Sequence, residues 1–131
     1  MRRFAGYAAI FDRPDRGGDI VRKGAFKQAL TSGLPLLYQH DAKRRIGEVV
    51  HLSEDAHGLR VIARLDGDTQ VAPGTGLSFG YRVRGMAMRT YRELFDLDLI
   101  EVSVVIHPMQ PLARVLAVQD DVQTEGEDNG L

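Results

Sequence analysis

The run Leu99-Ile100-Glu101-Val102-Ser103-Val104-Val105-Ile106 constrains the fold of this chain more than any other segment. Successive side chains of a strand point to opposite faces, and here both faces are apolar except at Glu101 and Ser103. A strand of that kind is covered on both sides and belongs inside a sheet. Upstream, Phe95, Leu97 and Leu99 share the parity of Glu101, while Asp96 and Asp98 take the other face. In unbroken register Glu101 therefore continues a buried face. A carboxylate there is costly unless it is paired or hydrogen-bonded. A histidine that it orients and an arginine held in a structural ion pair are both open as its partner.

The rest of the chain also reads as strands. The 131 residues fit one domain. Residues 3–11 predict a strand closed by the turn Asp12-Arg13-Pro14-Asp15, and Ile20-Val21 begins a short second element. In residues 23–30, Phe26, Ala29 and Leu30 fall at helical spacing and Gly33 follows as a stop, which predicts one short helix. Residues 34–40 read as a buried strand. Residues 46–52 and 59–65 read as a hairpin around a polar loop. Residues 67–76 are loop, 77–83 and 91–106 are long strands, and 113–118 add an edge. An acidic stretch follows, so the division is a domain over 1–118 and a disordered acidic tail over 119–131. The fold class is mainly β with short helices (α+β), arranged as a small closed or half-closed β-barrel.

Several functions are excluded by what is missing. Without cysteine there are no disulfides, thiolate zinc sites or cysteine nucleophiles. There is no His-Glu-x-x-His and no P-loop, and Pro73-Gly74-Thr75-Gly76 lacks the following Lys-Ser/Thr. Neither a metal nor a cofactor is expected. A net charge of −1 supplies no basic field for nucleic acid. No apolar run reaches signal-peptide length or the roughly 18 residues of a membrane span, so the expectation is a cytoplasmic protein with no membrane partner.

Two further segments carry chemistry. In Gly76-Leu77-Ser78-Phe79-Gly80-Tyr81, strand parity gathers Leu77, Phe79, Tyr81 and Val83 on an apolar face. Ser78 stands on the other, a face cleared by Gly80 and shared with Arg82. It is either a surface serine or a nucleophile, with Arg82 or a backbone N–H as the donor to an oxyanion. Of the four histidines, only His40, in Leu37-Tyr38-Gln39-His40-Asp41, ends a buried-looking strand. It is either a structural residue or the base for Ser78. Asp41 ranks below Glu101 as its orienting acid, because adjacent strand residues point apart. His, Ser and acid together suggest nucleophilic catalysis on a carbonyl.

These blocks, with Gly6-Tyr7-Ala8-Ala9-Ile10-Phe11-Asp12, Gly24-Ala25-Phe26, Asp98-Leu99-Ile100-Glu101-Val102-Ser103 and Pro108-Met109-Gln110-Pro111, follow one order from about residue 4 to 118. In that order they resemble the tailed-phage prohead maturation proteases. The resemblance implies a serine endopeptidase with the β-barrel of the herpesvirus assembly proteases, surrounded by helices. It implies Ser78 as nucleophile, His40 as histidine and Glu101 as acid. It also implies action inside an assembling prohead in the bacterial host cytoplasm, on the major capsid protein or a scaffold segment and often on the protease itself. Gene transfer agents carry such proteins too. Family members usually place a longer helical segment where residues 66–75 stand here, one that could help form a substrate groove or a dimer contact; a homodimer is left open as the active form. The contrasting reading is a catalytically inactive capsid-assembly factor that keeps the protease fold.

Overall fold

The computed structural model describes residues 2–30 and 33–120. Eight strands follow one another: β1 (Arg2–Ile10), β2 (Asp19–Val21), β3 (Pro35–Tyr38), β4 (Asp41–Glu54), β5 (Gly58–Leu65), β6 (Gly76–Met88), β7 (Arg92–Val105) and β8 (Val115–Asp120). They form one mixed sheet in the order β2-β7-β3-β4-β5-β1-β8, with β6 also paired to β7. The apolar run that begins at Leu99 is the second half of β7, and its covered position follows from its neighbours. β6 pairs antiparallel along its length, while β2 and β3 share its other edge in parallel, at Arg92–Leu94 and Val102–Val104.

Two expectations are corrected. The sheet is open and is not a closed barrel. Its terminal strands β6 and β8 approach each other only at their starts, through the isolated bridge Gly76–Arg114, the Leu77 N–H bond to Ala113 O (2.9 Å) and the Val115 N–H bond to Thr75 O (2.8 Å) among the described residues. Beyond that point β6 follows β7 and β8 follows β1, so no ladder forms between them. The short helix is also not seen, and there is none among the described residues. Residues 23–28 form successive turns, with N–H groups of Ala25, Lys27 and Ala29 bonded three residues back. Gly24 has φ +93°, which breaks helical continuity. The Glu54 carboxylate accepts the N–H groups of Gly24 (2.7 Å) and Phe26 (2.9 Å) and fixes the turns to β4. The buried pair is the adjacent Ala25 and Phe26, while Leu30 at the helical spacing is 42% exposed.

Strand β8 carries regular pairing through Asp120, two residues into the stretch assigned to a tail; residues 121–131 lie outside the described residues. The core collects Phe4, Phe26, Leu36, Leu59, Leu77, Leu97 and Val102, all wholly buried or nearly so. Phe26 meets Phe79 edge-on, with ring centroids 5.2 Å apart. Among the described residues no helix is long and apolar enough to cross a membrane, and no group of three or more His, Asp or Glu could hold a metal ion.

Candidate active site

A bulge in β7 decides which face Glu101 occupies. Gly80 pairs with Glu101 and Tyr81 with Leu99, so Ile100 is left without a partner in that ladder. Directly paired residues share a face. Leu97 and Leu99 therefore lie with Val83 and Tyr81 on the core side. Glu101 and Ser103 lie with Gly80 and Ser78 on the opposite side. The unbroken register expected from the sequence would have put Glu101 with Leu97 and Leu99. The carboxylate is nonetheless buried, at 6% exposure, because its own face is roofed. A Cβ on Gly80 would collide with Glu101 Oε1, so only glycine leaves room for the carboxylate here.

The roof is the turn joining β3 to β4. Tyr38 pairs with Asp41, and the two residues between them, Gln39 and His40, have φ of 54° and 60°. That is the backbone of a two-residue hairpin turn that normally favours Asn and Gly. Side chains with a Cβ pay roughly 1–2 kcal/mol each in this region, and the strain is held by bonds to β7 and the residue after it. Gln39 N–H donates to Val104 O (2.9 Å), and Gln39 Oε1 accepts from Ile106 N–H (2.7 Å). His40 N–H donates to Ser103 Oγ (3.1 Å). Strained residues persist where surrounding structure over-determines them, commonly at functional sites.

The turn brings the His40 ring to Glu101, with Nδ1 and Oε1 2.5 Å apart. Ser103 Oγ donates to the other carboxylate oxygen at 2.6 Å. The Glu101 hydrogen bond holds the His40 pKa above the ordinary 6.5, against the opposing effect of partial burial. A carboxylate only accepts, so Nδ1 carries the proton and Nε2 is left to the cleft. Of the two partners open to Glu101, the structure supplies the histidine; no arginine touches it among the described residues. His40 and Ser78 line one cleft of about 260 Å³ with Gln39, Val105, His107 and Met109. A smaller cavity also reaches Ser78, lined by Ala8, Ala9, Leu77 and Phe79 among others.

The structure thus brings together His40, Glu101 and Ser78, the first two in contact and the third across the cleft. It does not bring in Arg82, which is exposed, faces Asp98 and stands about 13 Å along β6 from Ser78 by strand rise. Sequence reasoning gave Ser103, Gln39 and His107 no role. Ser103 shares the parity of Glu101, a signal present in the sequence. The anchoring by Gln39 and the arrival of His107 at the cleft depend on the turn and on the path after β7.

Comparison with known proteins bears on the family and the fold. The chain is 30% identical over 141 aligned positions to the prohead protease of Enterobacteria phage HK97, covering 92% of this chain and 63% of that protein. It shares the fold of the KSHV protease, solved in complex with a hexapeptide phosphonate inhibitor, with a TM-score of 0.66 and 13% identity over 92% of this chain and 65% of that one. The chain therefore spans somewhat under two thirds of the length of each. The family model of the caudovirus prohead serine proteases matches residues 1–127, and the chain belongs to that family.

Proposed function

We propose that this chain is a serine endopeptidase that cuts scaffold or major capsid protein segments, and its own chain, within an assembling phage-like prohead in the bacterial cytoplasm. The observation that carries the reading is the His40 Nδ1 contact to the buried Glu101, made where His40 and Ser78 line the same cleft. With Nδ1–H committed to the carboxylate, Nε2 is the basic atom. It takes the Ser78 proton as Oγ attacks the scissile carbonyl, and Glu101 stabilises the imidazolium that forms. The imidazolium then protonates the leaving amine. Water repeats the cycle in reverse to release the acyl group. No step requires a metal or cofactor.

A backbone donor for the oxyanion follows from strand alternation. Leu77 N–H points away from β7, to Ala113 O. The N–H of Phe79, two residues on, points the same way, toward the open edge of β6 and beside Ser78. It takes the role that the sequence offered to Arg82 or the backbone.

The test is Ser78→Ala in a purified mixture with capsid or scaffold precursor. The variant is expected to fold normally and leave the precursor uncut; cleavage at the wild-type rate would sink the assignment. Fluorophosphonate labelling of wild type, in the free protein and in isolated proheads, separates enzyme from assembly factor. Labelling at Ser78 favours the enzyme, and no labelling in either state favours the assembly factor. Ser103 does not confuse the result, since it is wholly buried.

A further inference from the structure

Ser103 is the one wholly buried polar side chain of the site among the described residues, and the mechanism above does not use it. Its hydroxyl makes two bonds, and both end on the machinery of His40. As donor it binds Glu101 Oε2 at 2.6 Å, the carboxylate whose other oxygen holds the His40 ring. As acceptor it takes the main-chain N–H of His40 at 3.1 Å, a residue held at φ 60°. We propose that Ser103 is a positioning residue that fixes His40 at two points, its backbone directly and its ring through Glu101, given the protease reading above.

The arrangement is cyclic. His40 backbone, Ser103 hydroxyl, Glu101 carboxylate and His40 ring close a loop of three hydrogen bonds. One rotor sets both the height of the strained turn above the sheet and the plane of the carboxylate. Ser103 is suited to this by its place in the sheet, since it pairs with Ser78 on β6 and with Leu37 on β3, directly below the turn. Without the donor, the carboxylate loses the bond that fixes its second oxygen. Without the acceptor, the part-buried N–H of His40 loses its side-chain partner. Either change lets the ring drift from the geometry Ser78 needs. A displacement on the order of 1 Å can cost about 100-fold in rate.

The test uses the full chain with Ser103→Ala and Ser103→Cys. Cysteine fills nearly the same space but is a poor donor and acceptor. The first readout is the proton NMR signal of His40 Nδ1–H in histidine-¹⁵N-labelled protein, which needs no substrate. A short bond to Glu101 puts it far downfield in wild type, and both variants are expected to lose it or move it upfield. The second readout is fluorophosphonate inactivation of Ser78. The maximal rate constant is expected to fall by about 10- to 100-fold, with the concentration for half-maximal inactivation within about twofold of wild type. An unchanged resonance and an unchanged rate in Ser103→Cys would overturn the proposal, as would a loss of reagent affinity with the maximal rate retained. If Ser103→Ala fails to fold, Ser103→Cys decides alone. If wild type is not labelled at all, the protease reading fails, and the NMR arm still decides whether Ser103 positions His40.

Discussion

At the scale of single residues, Glu101 was legible and its surroundings were not. A lone acid in a strand apolar on both faces must find a partner in any fold. The partner is His40, and Glu101 lies on the Ser78 face only because Ile100 bulges out of the ladder. Straight alternation gives the right burial but the wrong face. The same distinction sets a test. Glu101→Gln keeps the size of the side chain and removes the charge that steadies the imidazolium, with no buried arginine left unpaired. On the proposed mechanism, cleavage is expected to fall by about four orders of magnitude, as it does in serine proteases that lose this charge, with little change in melting temperature. A loss of roughly 3–5 kcal/mol in stability with activity retained at low temperature would remove Glu101 from the proposed triad.

At the scale of elements, the strands were read more accurately than the turns. The hairpin of β4 and β5, the long β6 and β7, and the edge strand β8 all stand where apolar runs and turn residues placed them, within a few residues except at the ends of β4 and β6. The one predicted helix failed because the spacing of Phe26, Ala29 and Leu30 is met by separate turns that start at the positive φ of Gly24 and leave Leu30 exposed. The turns that replace it still anchor the sheet. Phe26 is wholly buried and packs against Phe79, the neighbour of Ser78. Phe26→Ala is therefore expected to cost about 3–5 kcal/mol in urea unfolding and to lower the rate of Ser78 labelling. A loss under about 1 kcal/mol would show that the site closes over the deletion far better than buried aromatic positions ordinarily do.

At the scale of the molecule, the proposed mechanism sets activity and stability to oppose each other with pH. The folded pKa of His40 is raised by Glu101. Its contribution to stability is thus fully present below the unfolded value near 6.5 and is lost as pH rises through the folded value. As a base His40 must be neutral, so activity is expected to rise over the pH range in which that stabilisation fades. In urea unfolding, the advantage of wild type over His40→Gln is expected to be larger at pH 6 than at pH 9. An equal advantage at both would mean that Glu101 does not favour the imidazolium. The sequence by itself determined that this chain is a strand-built domain with a buried acid, a strand-borne serine and a histidine beside a turn, because periodicity and turn chemistry are local. Only the tertiary structure decided that the sheet stays open, that a one-residue bulge moves Glu101 to the Ser78 face, and that Ser103 and the strained turn meet above it. Those outcomes depend on which strands pair and in what register, and pairing energy is shared between segments far apart in the chain.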